Sequence, residues 1–226
     1  MLALAEQGAP EGSWLRAGRQ TGGRGRMGRH WESPAGNLHS STLVRVRASD
    51  PPAHTLALVA ANAVHALIAP LCVGNARIKW PNDIELDGRK VAGVLCESEA
   101  TGTLVVGIGV NVRRAEEDFD HSLQDRAISL VSAGYFVERG ELARALFSEL
   151  RLVLDPLPEV LDGGLRRELE CRDKLIGRMV NTDVGLEGRA MGISSDGALI
   201  LEVDGIFRTV RTGSVWLNSA RSKKQT

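Results

Sequence analysis

Apolar residues recur between Ala53 and Leu71 at the spacing of one helical face, which predicts an amphipathic helix. Those residues are Leu56, Val59, Ala60, Ala63, Leu67 and Leu71. Runs of valine, leucine and isoleucine predict extended segments on both sides of this helix, at residues 41–46, 77–80, 91–95 and 104–112. Asp87-Gly88 is a hairpin-turn signal between two of them. The pattern therefore predicts a sheet of neighbouring strands in the central part of the chain.

The second half of the chain changes from helical spacing to short alternating segments. Residues 141–154 and 165–169 have the spacing of helices. From about Leu175, four short strands are predicted, at residues 178–180, 188–193, 198–203 and 206–210. Asp196-Gly197 and Asp204-Gly205 are turn signals that join them as hairpins. This part is predicted to be a small β-barrel of the SH3-like type.

These patterns predict an α+β fold with two domains. A mixed central sheet with flanking helices is expected in residues 1–174, and the SH3-like barrel in residues 175–220. Residues 221–226 are polar and are expected to form a frayed tail.

Composition restricts the class of protein without identifying it. The chain has 226 residues, of which 43% are hydrophobic, and its formal net charge is zero. Its three cysteines lie far apart, so they suggest neither a zinc site nor a disulfide framework. No apolar stretch reaches the roughly 18 residues of a membrane helix, and the first residues do not resemble a signal peptide. A soluble protein of the reducing cytoplasm, with no membrane contact, is expected.

A run rich in glycine and arginine at residues 22–31 carries the first chemical signal. Its glycines allow positive φ angles and a close approach of the backbone to a ligand. Its three arginines supply guanidinium groups that bind phosphate or carboxylate oxygens: Arg24, Arg26 and Arg29. The alternative is a Gly/Arg segment that binds RNA without specificity. Because the run leads directly into a predicted strand, a loop anchored to the core is the better description.

Lys79-Trp80-Pro81-Asn82-Asp83 carries the second signal. Pro81 restricts Trp80 to an extended conformation, and the Asn-Asp pair can hydrogen-bond to its own backbone, so a rigid bend is predicted. This bend would hold the ammonium group of Lys79 in a fixed place. A surface lysine beside a core tryptophan is the alternative.

Together with two later segments, these runs resemble the motifs of the biotin protein ligases. Residues 23–36 match the family's Gly-Arg-Gly-Arg-x-Gly-Arg-x-Trp-x-Ser-Pro-x-Gly run, and residues 79–83 match Lys-Trp-Pro-Asn-Asp without a change. Residues 90–97 resemble its Lys-x-x-Gly-Ile-Leu-x-Glu strand, and residues 106–112 resemble its Gly-Ile-Gly-x-Asn strand. Four motifs in the family's order are a specific signal.

The resemblance implies a set of catalytic and binding residues. Lys79 and Arg26 are implied to be catalytic, with Lys79 contacting the carboxylate end of biotin and the phosphoryl group. Carboxylate attack on the α-phosphorus develops charge on the phosphoryl oxygens, which a fixed ammonium stabilises. The other residues implied to bind biotin or the adenylate are Gln20, Gly23, Arg24, Gly25, Arg29, Trp31, Asn82, Gly93, Gly107 and Asn111.

Several of these residues have two interpretations at the level of sequence. Trp31 either covers the adenine or staples the loop to the core. The strand glycines indicate either a ligand lying close to the sheet or a bulge: Gly93, Gly107 and Gly109. Asn111 is either a site residue or a hydrogen-bonded buried amide. Asp83 either helps to hold magnesium or caps a turn.

The resemblance also implies substrates and partners. Biotin, ATP and Mg²⁺ are expected, although no ligand set for the metal is evident in the sequence. The expected product is biotinyl-5'-AMP, and the expected acceptor is a lysine of a biotin carboxyl carrier protein, as in acetyl-CoA carboxylase. A homodimer is also among the assemblies that the resemblance implies. A lipoate ligase would share the architecture, and an RNA-binding module is the rival from another class.

Two departures from the family concern the beginning of the chain. No helix-turn-helix region precedes the catalytic domain, so a single-function ligase that does not bind DNA is expected. The family's Ser-Thr-Asn segment is missing, and residues 1–8 resemble the helix that normally follows it. Either an internal start codon or a true shortening would explain this. Each lost polar contact would weaken biotin binding by roughly 1–3 kcal/mol.

Overall fold

The computed structural model describes residues 1–47, 50–72, 75–99, 102–154 and 161–218. The predicted tail at 221–226 lies outside these ranges. Within these ranges the α-helices are α1 (Leu2–Glu6), α2 (Ala53–Ile68), α3 (Arg139–Leu154) and α4 (Gly163–Arg172). The strands are β1 (Trp14–Ala17), β2 (Leu38–Arg45), β3 (Ala76–Lys79), β4 (Asp83–Leu86), β5 (Arg89–Glu99), β6 (Thr103–Val110), β7 (Met179–Thr182), β8 (Glu187–Ile193), β9 (Leu199–Val203), β10 (Ile206–Val210) and β11 (Val215–Leu217).

The first six strands form one sheet in the order β1-β2-β6-β5-β4-β3. Every strand pair in it is antiparallel. The α+β class is confirmed, but the prediction of a mixed sheet is wrong in this respect. The physical reason is the connections: β3 to β5 follow one another through short turns, and short turns join strands that run in opposite directions.

The last five strands form a second sheet, the C-terminal sheet, in the order β10-β9-β8-β7-β11. Its pairs are also antiparallel. Two hairpin turns, one in each sheet, have positive φ at both central residues, at Asp87-Gly88 and Asp204-Gly205. This conformation matches the right-handed twist of the paired strands, and it is the reason that the Asp-Gly signals predicted these turns correctly.

Among the described residues, two large hydrophobic cores and one small one hold these layers together. The first core lies between one face of the first sheet and helices α2 and α3, and it includes Leu56, Val106 and Leu146. The second core combines residues of α2 and β3, such as Leu58 and Ile78, with residues of the C-terminal sheet. No helix in the described ranges is both long enough and apolar enough to cross a membrane.

Candidate functional site

Strand register places Asp83, Gly93, Gly109 and His39 in one row across the first sheet. Asp83 lies opposite Gly93, Gly93 lies opposite Gly109, and Gly109 lies opposite His39. Directly opposed residues of antiparallel strands project to the same face of a sheet. We call this side of the sheet, which also carries Gly107, the glycine face. It is the side opposite the first core.

A second row of the glycine face lies two residues further along the strands. It consists of Leu95, Gly107 and Ser41, and all three are half-buried. Beyond this row, Leu43 and Val105 are buried against Ala5 of α1. The second row therefore forms a half-buried strip, with α1 on one side and the first row on the other.

The Gly/Arg segment folds back on itself as a compact loop beside this face. Arg24 and His30 form a β-bridge, and the Trp31 amide donates to the Gly23 carbonyl oxygen at 3.0 Å. A Cβ at position 23 would lie 2.3 Å from the carbonyl oxygen of Trp31. Only glycine fits there without moving the backbone, which is a stronger requirement than the conformational freedom expected from sequence. At Gly25 the closest atom would be 3.5 Å away.

The Trp31 indole lies directly on the first row. A Cβ at Gly109 would be 2.6 Å from the indole ring, and the Lys90 Nζ lies 5.1 Å from the ring centroid, within cation–π range. This packing corresponds to the interpretation in which Trp31 staples the loop to the core. The indole N–H is buried with no hydrogen-bond partner in the structure.

The three glycines of the glycine face have different surroundings. At Gly93 a Cβ would lie 2.9 Å from Lys90 Cε, whereas at Gly107 the nearest atom, the Leu95 carbonyl oxygen, would be 3.5 Å away. Pairing of β5 with β6 is continuous, so a bulge between these strands is not the reason for the glycines. The side chains of Lys90 and Trp31 instead occupy the space that a Cβ would need at Gly93 and Gly109. At Gly107, on the half-buried strip, a Cβ would fit at ordinary contact distance.

Lys79 ends β3 at a turn that is fixed from several sides. The Trp80 amide donates to Asp173 Oδ2 at 2.8 Å, and the Trp80 indole donates to the Gly197 carbonyl oxygen at 2.9 Å. The peptide bond between Trp80 and Pro81 is cis. The predicted rigid bend is present, and it is held by residues more than ninety positions away in sequence.

The Lys79 ammonium group faces a buried carboxylate. Its Nζ lies 3.6 Å from Glu85 Oε1, and the other oxygen of Glu85 pairs with Lys174. The Lys79 side chain is 26% exposed, so it remains accessible from the solvent side. One carboxylate thus balances two ammonium groups beside the bend.

Arg26 joins the loop to this bend. Its Nη1 donates to Asn82 Oδ1 at 3.2 Å, while Asn82 Nδ2 donates to the Val94 carbonyl oxygen at 2.6 Å. Burial lowers the pKa of the Arg26 guanidinium, and the nearby Asp83 carboxylate partly opposes that shift. Asp83 itself pairs with Lys90 Nζ at 2.6 Å, a contact that neither interpretation of Asp83 included.

The remaining predicted residues form contacts with parts of the chain other than the Lys79 bend. Gln20 Oε1 accepts a hydrogen bond from Ser33 Oγ at 2.6 Å, and Arg24 forms an exposed ion pair with Glu97 at 3.2 Å. Asn111 is buried; its Oδ1 accepts from Asn37 Nδ2 at 3.3 Å. Its Nδ2 donates to a backbone carbonyl oxygen. Asn111 therefore has the contacts of a hydrogen-bonded buried amide.

The described part of the chain contains no group of three or more His, Cys, Asp or Glu residues that could hold a metal ion. Asp83, the candidate ligand, already neutralises Lys90.

Sequence reasoning missed the residues that reach the site through pairing or packing: His39, Ser41, Glu85, Leu95 and Asp173. Ser41 and Leu95 belong to predicted strands, and their alternation with core residues was the available signal. His39 lies just before the predicted strand at 41–46 and is part of β2 in the structure. The order and register of the strands depend on the pairing of the whole sheet. The local sequence therefore contains no signal for the two rows of opposed residues.

Known proteins resemble this chain in sequence and in structure. A family model described as the biotin/lipoate A/B protein ligase family matches residues 4–112. The bifunctional ligase/repressor BirA of Escherichia coli (strain K12) is 36% identical over 211 residues, which cover 89% of this chain and 65% of that protein. The biotin–[acetyl-CoA-carboxylase] ligase of Paracoccus denitrificans is 34% identical over 204 residues, covering 84% of this chain and 83% of that ligase.

A solved structure shares the whole described architecture. The biotin protein ligase from Aquifex aeolicus in complex with biotin and ATP superposes with a TM-score of 0.85 at 26% identity, covering 96% of this chain and 94% of that one. Against the BirA relatives of Escherichia coli and Salmonella typhimurium, the chain spans 65% of their length. On these similarities, the chain belongs to the biotin protein ligase family.

Proposed function

We propose that the chain is an ATP-dependent biotin protein ligase. In the first step, a carboxylate oxygen of biotin attacks the α-phosphorus of ATP, the bond to the bridging oxygen breaks, and pyrophosphate leaves. In the second step, the amine of an acceptor lysine attacks the acyl carbon of biotinyl-5'-AMP. The acyl–oxygen bond breaks, AMP leaves with the electron pair, and the amine loses a proton to give an amide.

One observation carries this proposal: the hydrogen bond from Arg26 to Asn82 joins the Gly/Arg loop to the bend that holds Lys79. Two cations from distant parts of the sequence are thereby brought to the edge of the glycine face. The first step brings two anions together, so fixed cations at that place lower its barrier. We assign Lys79 and Arg26 to the phosphoryl group on this basis.

The glycine face is the proposed place for biotin. The half-buried strip of Leu95, Gly107 and Ser41 offers an apolar side chain, an open backbone and a hydroxyl, a combination suited to a small ligand with a polar ring and an aliphatic chain. Gln20 and the loop residues from Gly23 to Trp31 would close over it. Asn82 and Asn111 would act by holding the loop and the strand end in place.

The nucleotide, the metal and the acceptor complete the proposal. ATP is the proposed co-substrate, and magnesium would arrive as the counter-ion of its phosphates. The acceptor is a lysine of a biotin carboxyl carrier protein, and the compartment is the cytoplasm. The C-terminal sheet, with its five strands and short hairpins, is proposed to be an SH3-like barrel. A homodimer is a further expectation, which light scattering tests.

The contacts of the arginines favour this function over RNA binding. Arg24, Arg26 and Arg29 each hydrogen-bond to another part of the chain, so the segment is an ordered loop, whereas a Gly/Arg segment that binds RNA without specificity is disordered. A lipoate ligase is the related alternative. The same assay with lipoate in place of biotin tests it.

The test is the mass of a purified biotin carrier domain after incubation with the chain, biotin and magnesium-ATP. We expect a gain of one biotin from the unchanged chain. Lys79→Ala should lower the initial rate about a hundred- to thousandfold, the usual loss when a fixed electrostatic contact to the transition state is removed. Arg144→Ala, an exposed change on α3, is the matched control and should keep the parent rate. No mass gain with the parent chain would contradict the proposed function.

A further inference from the structure

The Gly/Arg loop touches the C-terminal sheet at one arginine. Arg29 Nη2 donates to Ser214 Oγ at 2.6 Å, although the two residues are 185 positions apart. Ser214 lies in the turn between β10 and β11, next to Gly213, which has a φ of 108°. The loop that lies on the glycine face is therefore also attached to the second sheet.

The turn that receives Arg29 is fixed by a neighbouring carboxylate. Asp183, in the turn between β7 and β8, accepts a hydrogen bond from the Ser214 amide at 2.7 Å. A Cβ at Gly213 would lie 2.3 Å from Asp183 Oδ1, so only glycine allows the two turns to approach this closely. We call Asp183, Gly213 and Ser214 the clasp.

The clasp is electrostatically complementary to the loop. The Asp183 carboxylate is close enough to Arg26 to favour the charged form of its guanidinium, against the effect of burial, which lowers the pKa of Arg26. The loop therefore presents two guanidinium groups, Arg26 and Arg29, to two adjoining turns, of which one carries a carboxylate and the other a hydroxyl. A hydrogen bond with a charged donor is stronger than one between neutral groups.

We propose that the clasp is a positioning device that holds the Gly/Arg loop closed over the activated intermediate, with Ser214 orienting Arg29. The proposal rests on the proposed function for the identity of that intermediate. A loop held at two points, by Trp31 on the sheet and by Arg29 on the clasp, opens more slowly. Biotinyl-5'-AMP would then be retained until an acceptor lysine reaches it.

Ser214→Ala tests the clasp in the chain of residues 1–226 with two measurements. The first is hydrogen exchange of residues 22–31 without ligand, where the Gly25 amide bonds to the Arg29 carbonyl oxygen at 2.7 Å. The second is the rate at which biotinyl-5'-AMP appears in solution without acceptor. Removing the hydroxyl should raise both rates by about tenfold or more, the usual effect of losing one hydrogen bond to a charged group. Pyrophosphate release in the first turnover should change less than twofold.

Two further variants separate the clasp from a general loss of stability. Ser214→Thr keeps the hydroxyl and should restore the parent rates. Ser195→Ala, at an exposed serine in another turn of the C-terminal sheet, should have no effect. Unchanged exchange in Ser214→Ala overturns the clasp, and faster exchange without faster release overturns its role in retention. If the parent makes no adenylate, the proposed function fails, and exchange alone decides whether the clasp exists.

Discussion

Gly107 and Gly109 show how two identical residues on one strand can have opposite requirements. Both lie on the glycine face, two positions apart on β6. At Gly109 the Trp31 ring occupies the place of a side chain, and at Gly107 the nearest atom would be at ordinary contact distance. The sequence motif marks both glycines equally, because a motif records residue type and not what lies above the strand.

A pair of alanine substitutions follows from this difference. Gly109→Ala would force the Trp31 indole off the sheet, so we expect the free energy of unfolding to fall by about 1–3 kcal/mol, the usual cost of overpacking. Gly107→Ala should be neutral or stabilise by up to about 1 kcal/mol, since alanine restricts the unfolded chain. Urea denaturation of both variants and the parent measures this. Equal losses in the two variants would contradict the packing described for Trp31.

At the scale of elements, the strands with strong turn signals were predictable, whereas the first and the last strand were not. Asp87-Gly88 and Asp204-Gly205 located hairpins correctly, because positive φ at both positions favours those residue types. Strands β1 and β11, with four and three residues, lie outside the predicted segments. Their place depends on pairing with β2 and β7, which local sequence does not encode.

The bend at Lys79 is another element whose support could not be predicted. Its local rigidity followed from Pro81, but its main anchor is Asp173, at the end of α4. That carboxylate is buried; it accepts hydrogen bonds from the Trp80 amide at 2.8 Å and the Leu175 amide at 2.6 Å. Asp173 therefore links the bend to the chain that enters the C-terminal sheet.

Burial of Asp173 gives the fold a specific pH dependence. Desolvation raises its pKa to about 7, against about 3.9 in an unfolded chain. Between these values the folded chain holds a proton that the unfolded chain has lost, so the stability linked to Asp173 is largest below about pH 4 and decreases up to about pH 7. A difference of about three pKa units corresponds to about 4 kcal/mol.

Asp173→Asn removes that titration. The free energy of unfolding of the parent, minus that of Asp173→Asn, should fall by on the order of 4 kcal/mol between pH 4 and pH 7 and stay constant above pH 8. Denaturation curves across this range measure it. Asp204→Asn, at an exposed turn, is the control and should follow the parent. A difference that is independent of pH would show that Asp173 is ionised throughout.

At the scale of the whole molecule, residues of α2, of β3 and the bend after it, and of the C-terminal sheet meet in the second core. Leu58 and Val59 of α2 and Ile78 and Trp80 of the Lys79 bend are buried in the same cluster as residues of the C-terminal sheet. A domain boundary is expected after residue 174, but residues on both sides of it belong to this cluster. Sequence patterns locate elements, but they do not show that side chains from both halves fill one interior.

This shared core predicts that residues 1–174 do not fold stably alone. Removing the C-terminal sheet would expose Leu58, Val59, Ile78 and Trp80, each now at most 2% exposed. At about 1.5–3 kcal/mol for each side chain, the loss is about 6–12 kcal/mol, comparable with the whole stability of a typical domain. We expect the 1–174 chain to lose its near-ultraviolet circular dichroism and to bind a hydrophobic dye, as partly folded states do. A chain of residues 1–218 is the control and should unfold cooperatively. Cooperative unfolding of the 1–174 chain would instead establish residues 1–174 as an independent domain.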